Sequence, residues 1–255
     1  MIGELNIPVL TTWKAADFLP EDHPLYAGRP GAAGQRGANF TQQNADWLLI
    51  IGARMDLGQT AYTHANFARH AHKIMVDIDN SEIQKMQMKI DVPVISDAGA
   101  FLREFNSQRA KIAKRDSSGW LKKCKEWQAK YPVALAEYWK DRGFVNDYVL
   151  IDVLSDELSG NDLLIPGSSG ACSERTLQGI KIKTGLRIFN SQGFGSMGFG
   201  LPAAIDDCIA SGKKRTVCIE GDGGFIMNIQ ELETIKRLGL PIKVFVLNNG
   251  GYGLI

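Results

Sequence analysis

The sequence lacks any marked excess of charge: Lys+Arg 29 stand against Asp+Glu 28, a formal charge of +1. Nothing in that balance asks for a nucleic acid or an acidic membrane surface as partner. Long apolar runs are missing too. No stretch approaches the roughly 20 residues that a membrane-spanning helix needs, so no membrane partner is expected. The opening Met-Ile-Gly-Glu-Leu-Asn has neither the basic segment nor the apolar core of a secretory signal. Cysteine is scarce. Cys124, Cys172, Cys208 and Cys218 show neither metal spacing nor disulfide density, which points to a reducing cytoplasm. Internal repeats and low-complexity segments are absent. What remains is a 255-residue chain, 44% hydrophobic and 22% charged, the balance of a globular protein with one large or two modest domains.

Short runs rich in β-branched and apolar residues end abruptly in Gly, Asp or Asn. They are Ile7–Thr12, Trp47–Ile51, Lys73–Ile78, Val92–Ile95, Leu163–Ile165, Leu186–Phe189, Thr216–Ile219 and Val244–Leu247. Most are continuous rather than alternating, as strands covered on both faces of a parallel sheet are. Helical spacing fills many of the gaps, as in Phe101, Leu102 and Phe105, or Ile229, Leu232, Ile235 and Leu238. The alternation predicts an α/β fold of two parallel-sheet, three-layer domains. From about Asn106 to Phe144 strand-like runs stop, and Lys and Arg are interleaved with Trp120, Trp127, Tyr131, Tyr138 and Trp139. With balanced overall charge, this segment is expected to be a helical connector whose aromatics pack on a domain while its lysines face water. The expected division is 1–106, a linker over 107–145, and 146–255.

The richest chemistry lies after Arg215. A strand at Thr216–Ile219 runs into Gly221-Asp222-Gly223-Gly224, and a helix of roughly Met227 to Leu238 follows, stopped by Gly239. A second strand, Val244–Leu247, ends in Asn248-Asn249-Gly250-Gly251-Tyr252-Gly253. About twelve helical residues run back about 18 Å, and about six strand residues return about 20 Å. The β-α-β unit therefore closes, with Asp222 and Asn249 at the carboxyl ends of two parallel strands, the edge where open α/β sheets bind ligands. A carboxylate and an amide oxygen are hard ligands suited to Mg²⁺, which fills the rest of its shell with water and phosphate oxygens. Glycines at 221, 223 and 224 would let backbone N–H groups approach a phosphate, and the helix N-terminus would point there too. Gly-Asp-Gly or Asn-Asn-Gly alone is usually a turn; the pair, one β-α-β unit apart, is far more specific.

Upstream, Gly193, Gly195 and Gly198 spell G-x-G-x-x-G between a strand and a helix of roughly Pro202 to Ala210, with Glu220 as an acid further on. That is the context of a dinucleotide fingerprint, so NAD or FAD binding is an alternative reading. Against it, Gly200-Leu201-Pro202 delays the helix, and the Asn248-Asn249 segment is left unexplained. Two further constellations have bland readings. Cys172 has no histidine near it in sequence and fits a small buried residue. His70-Ala71-His72 fits a surface lead-in to the next strand better than a metal pair.

The Gly-Asp-Gly and Asn-Asn pair resembles the signature of thiamine-diphosphate enzymes, and Gly195-Ser196-Met197-Gly198-Phe199-Gly200-Leu201-Pro202-Ala203-Ala204 is similar to their cofactor-supporting stretch. Phe18–Leu25, Gly52-Ala53-Arg54 and Val76-Asp77-Ile78-Asp79 resemble the central domain of acetolactate synthases. The resemblance implies thiamine diphosphate and Mg²⁺ as cofactors. It implies Asp222, the Asn249 side chain and the Gly251 carbonyl as metal ligands, and the Gly195 backbone as a partner of the aminopyrimidine. Met197 would hold the cofactor's rings in the bent form, and Ser169 and Gly170 would grip the far phosphate. FAD in the central domain is implied only as far as Arg54, since Leu57-Gly58 stands where the family has an acidic pair and a second Arg. Asp206-Asp207 departs from the small residue usual there and is expected to face solvent.

The activity implied is decarboxylation of a 2-oxo acid and transfer of the carbanion to a second carbonyl, a transferase or lyase reaction in a homodimer or tetramer. The cofactor performs that chemistry and the protein positions it. The family's catalytic glutamate belongs to a further domain that this chain does not show, so no catalytic residue is expected here and the chain alone is expected to be silent. A non-catalytic remnant pairing with a complete subunit is the remaining alternative.

Overall fold

The computed structural model describes residues 2–113, 116–168 and 170–253. The chain forms two compact units, one of Met1–Thr12 with Pro24–Pro132, the other of Trp13–His23 with Val133–Ile255.

In the first unit, the short helix α1 (Ile2–Leu5) and α2 (Arg36–Gln43) precede β1 (Trp47–Ile51), β2 (His72–Asp77), α3 (Asn80–Gln84), β3 (Val92–Ile95), α4 (Ala98–Ser107) and α5 (Ser118–Lys130). The strands form a parallel sheet in the order β1-β2-β3. Ile50, Met55, Phe67, Ala68, Ala71, Met75 and Ile83 make its core. Asp79 and Asp97 cap α3 and α4, accepting from Ser81 N and Ala100 N at 2.8 Å each. The expected strand over Ile7–Thr12 is reduced to a single bridge, Val9 with Tyr26. Pro8, next to that bridge, has no N–H to extend the ladder.

The basic-aromatic segment resolves through α5. Phe40 of α2 meets Trp127 at 5.8 Å and Tyr131 at 5.2 Å between ring centroids. A Cβ at Gly37 would lie 2.9 Å from Gln128 N, so glycine allows the two helices to approach. Cys124 is buried in the contact while Lys122, Lys123 and Lys130 face outward. In α5 the aromatics form a packing face and Lys122, Lys123 and Lys130 its solvated side, whereas Lys125 donates to Tyr26 O at 2.6 Å and, further on, Trp139 is 51% exposed.

In the second unit, α6 (Asp147–Glu157), β4 (Leu163–Pro166), α7 (Gly170–Gly179), β5 (Arg187–Ile188), α8 (Gly200–Ala210), β6 (Thr216–Gly221), α9 (Asp222–Met227), α10 (Glu231–Leu238) and β7 (Ile242–Leu247) follow in order. All pairs are parallel, in the order β5-β4-β6-β7. All four residues of β4 are buried, which explains its unbroken apolar run. Leu164, Leu177, Ile180, Leu186 and Ile219 centre the main core, and Ile165, Ala203, Ala204 and Cys218 form a second cluster between α8 and the sheet. Residues 13–23 are fastened here: Asp17 pairs with Arg187 Nε at 2.7 Å and accepts from Ile188 N at 3.1 Å.

The single helix expected from Met227 to Leu238 is two. It starts at Asp222, breaks after Met227 and resumes at Glu231. Asn228 makes the break: its backbone leaves the helix at φ −131°, ψ 28°, and its side-chain amide donates to Gly198 O at 2.8 Å. Asparagine favours such side-chain-to-backbone bonds over helix continuation. Gly239 ends α10 in the left-handed region at φ 56°, ψ 50°, as its position predicted.

Candidate functional site

The strand order reverses once in the second sheet. From β4 the chain steps to β5 on one side, then crosses to β6 and β7 on the other. Such a reversal opens a crevice at the carboxyl ends of the two inner strands, the usual ligand position in open α/β sheets. Here those strands are β4 and β6. Their register, Pro166 with Ile219, sets Gly167 opposite Glu220 at the mouth.

Asp222 and the Asn249 segment meet at this edge. Gly221 pairs with Leu247 across the β6–β7 ladder, so Asp222 and Asn248 are the next residues on neighbouring strands. Asp222 is half-buried and begins α9. The loop after β7 folds by two side-chain-to-backbone turns: Asn248 Oδ1 accepts from Gly250 N at 2.9 Å, and Asn249 Oδ1 from Gly251 N at 3.2 Å. Gly250 at φ 78° and Gly251 at φ 154° take backbone conformations that favour glycine. Tyr252 leans on α9: a Cβ at Gly223 would lie 2.4 Å from its ring. The loop that carries Asn249 is thereby pressed against the turn that carries Asp222.

The upstream motif is an exposed turn before α8. Gly195, with φ 63°, has open space where a Cβ would stand. Its N–H donates to Ser191 O at 3.0 Å. Met197 is 37% exposed and lines a depression of about 420 Å³ with Phe189, Ser196, Phe199, Asp206 and Asn228. The Asn228–Gly198 bond ties this turn to the end of α9. Asp206 is exposed, whereas Asp207 is half-buried and its carboxyl is pushed up by burial and then by Asp206. Gly170 is the first residue of α7, past the exit of β4. Ser169 lies outside the described residues.

The sequence reading missed the centre of the crevice. Glu220 is 1% exposed. Its Oε2 accepts from Gly200 N at 2.8 Å and its Oε1 from Gly221 N at 3.2 Å. Burial pushes its carboxyl up, opposed by those two backbone donors. A Cβ at Gly167, Gly200 or Gly224 would lie 2.2, 2.4 or 2.7 Å from a carboxylate oxygen. Gly224 is therefore required by packing as well as by any phosphate. The only signal in the sequence was an acid closing an apolar strand. The same contacts weaken the dinucleotide reading, because Glu220 is enclosed rather than offered to a ribose. The strand preceding Gly193, β5, also has β4 between it and β6, whereas the fingerprint joins adjacent strands.

The donor set fits a hard divalent cation: one carboxylate, one amide oxygen and one backbone carbonyl. Among the described residues no three or more His, Cys, Asp or Glu side chains gather to hold a metal, so any site here depends on neutral oxygens and on the ligand's own.

The first unit has its own cleft, about 300 Å³, at the carboxyl ends of its strands, lined by Gly52, Arg54, Asp77, Glu82, Ser96 and Asp97. Arg54 Nε pairs with Glu82 Oε1 at 3.1 Å. Lys85, then Arg54, hold the Glu82 carboxyl below its ordinary value. Lining this cleft, the Arg54 guanidinium stands paired among three carboxylates, those of Asp77, Glu82 and Asp97, a poor match for the diphosphate of FAD. No helix among the described residues is long and apolar enough to cross a membrane.

Fold and site together define a parallel α/β protein with an oxygen-rich ligand edge at the switch point of its second sheet. Residues 168–255 match the family described as thiamine pyrophosphate enzyme, C-terminal TPP binding domain, and residues 1–105 match thiamine pyrophosphate enzyme, central domain. The chain belongs to the thiamine pyrophosphate enzymes and is similar to acetolactate synthase large subunits. It is 32% identical to a probable acetolactate synthase large subunit of Methanococcus aeolicus, over 100% of this chain and 44% of that protein. It is 33% identical to the acetolactate synthase large subunit of Cyanidium caldarium, over 98% of this chain and 42% of that protein. It is 31% identical to the acetolactate synthase isozyme 2 large subunit of Escherichia coli, over 100% and 44% respectively. The chain thus spans less than half the length of these relatives.

Proposed function

We propose that this chain is the thiamine-diphosphate- and Mg²⁺-binding part of an acetolactate synthase-like enzyme that decarboxylates a 2-oxo acid and transfers the carbanion to a second carbonyl. The observation that carries this reading is the β6–β7 register, which sets the Asp222 and Asn249 segments on neighbouring strand ends beside the switch point between β4 and β6. When bound, the cofactor supplies the stabilised carbanion of the reaction. Asp222 brings the one formal negative charge to the metal, and the Asn249 amide and the Gly251 carbonyl add neutral oxygens. The backbone at Gly221, Gly223 and Gly224 would meet the diphosphate, with Gly170 toward its far end. The Gly195 carbonyl would accept from the aminopyrimidine, and Met197 would support the cofactor from below. No side chain of this chain is assigned to proton transfer.

The functional division proposed is 1–106 and 146–255, joined by 107–145. Phe194, 97% exposed, and Ile226, 65% exposed, lie on the segments that carry the site and support a homodimeric or tetrameric assembly. The absence of metal spacing or disulfide density among the cysteines supports a cytoplasmic setting. Calorimetric titration of thiamine diphosphate with and without Mg²⁺, beside Asp222→Ala, tests the reading. Mg²⁺-dependent binding that disappears in the variant is expected; binding indifferent to both Mg²⁺ and Asp222 overturns it.

A further inference from the structure

An acid that closes a buried strand is costly unless its oxygens are satisfied. Glu220 meets that condition with backbone N–H groups, from Gly200 at the start of α8 and Gly221 at the start of α9. Its neighbours are also unusual. Positions 167, 200 and 224 each approach the carboxylate so closely that a side chain would displace it. These glycines belong to three separate segments: the exit of β4, the first residue of α8 and the first turn of α9. Each segment carries part of the proposed cofactor site. Gly167 precedes Ser169 and Gly170, Gly200 follows the turn of Gly195 and Met197, and Gly224 follows Asp222. One side chain therefore touches all three, at the floor of the crevice between β4 and β6.

We propose that Glu220 is a positioning residue for the cofactor: by its reach and its bond to Gly200 it sets the spacing of the three glycine segments and so the aim of Asp222. The inference rests on the thiamine-diphosphate reading of this site and adds a residue to it. The carboxylate acts through backbone, with no contact to the cofactor. Its length matters because Oε2 must span to Gly200 N at the start of α8, a bond that a glutamine oxygen can also accept.

Three variants of the full-length enzyme separate positioning from mere core filling. Glu220→Gln keeps reach, volume and one acceptor oxygen. Glu220→Asp keeps the charge and loses the reach. Gly200→Ala leaves Glu220 in place but drives a Cβ to 2.4 Å from Oε2, while alanine favours the helix. Affinity for thiamine diphosphate with Mg²⁺ is read by calorimetry well below each variant's melting temperature, with stoichiometry as the measure of folded sites.

Glu220→Gln is expected to bind within about threefold of the unaltered enzyme, and Glu220→Asp and Gly200→Ala about 10- to 100-fold more weakly at full stoichiometry, the usual cost of losing an outer partner. If Glu220→Asp does not fold, Gly200→Ala decides alone. Variants that melt earlier yet bind with unchanged affinity overturn the inference and leave the cofactor site standing. Failure of the unaltered enzyme to bind overturns the underlying reading instead.

Discussion

Asp162 offers a measure of what holds the second sheet together. It lies just before β4, is 3% exposed, and accepts from Arg215 Nε at 2.7 Å, from Ser159 N at 2.6 Å and from Ser159 Oγ at 3.0 Å. Arg215, just before β6, also donates to Glu157 O at 3.1 Å. The pair thus clamps the amino ends of the two inner strands. Asp162→Asn keeps the shape and removes the charge. Charge-assisted bonds contribute about 1.5–3 kcal/mol, and Arg215, with 44% of its side chain exposed, can turn to water, so the loss should lie at the lower end, about 1.5–2 kcal/mol. At a urea dependence of about 1–3 kcal/mol per molar, the midpoint falls by roughly 1 M. The sign of the pH dependence follows from the pKa. Arg215, then the Ser159 donors, hold the Asp162 carboxyl below its ordinary value. Its stabilisation is therefore complete above the unfolded carboxyl's value of about 3.9 and is lost as pH falls through the lower folded value. Urea titrations of both proteins should show a constant gap from pH 7 to 5 and a narrowing gap below about pH 4. An equal midpoint at neutral pH, or a gap that persists undiminished into acid, would refute the reasoning.

Two further outcomes are expected. Gly223→Ala puts a Cβ 2.4 Å from the exposed Tyr252 ring; the ring can swing away, so the melting temperature should barely move. The displaced Asn249 loop should nonetheless weaken Mg²⁺-dependent thiamine-diphosphate binding about 10- to 100-fold, and unchanged calorimetric affinity would contradict this. Cys218 is fully buried, and burial followed by the charge of Glu220 pushes its thiol well above the usual range. The native protein should leave Cys218 unlabelled by iodoacetamide at pH 8 under conditions that label it fully in denaturant, as peptide mass spectrometry would show.

Much of this molecule was legible in one dimension. β1, β3 and β4 are apolar runs punctuated by Gly, Asp, Pro or Ser, and periodicity and punctuation are local properties of the chain. The Gly221–Gly224 and Asn248–Gly253 segments stood out because glycine and asparagine gather after a strand where the backbone must turn sharply. The helix stop at Gly239 follows from the chirality of the backbone. Other features depend on residues far apart in sequence. Nothing near Asn228 reveals that Gly198 O will take its amide and split the helix. The strand order β5-β4-β6-β7, which makes a crevice between β4 and β6 and separates β5 from β6, is a choice among pairings that local pattern leaves equal. Glu220 read only as an acid after a strand, or as the acid of a dinucleotide fingerprint. Its burial against Gly167, Gly200 and Gly224 exists only once three distant segments converge, because close packing is decided by neighbours in space and not along the chain.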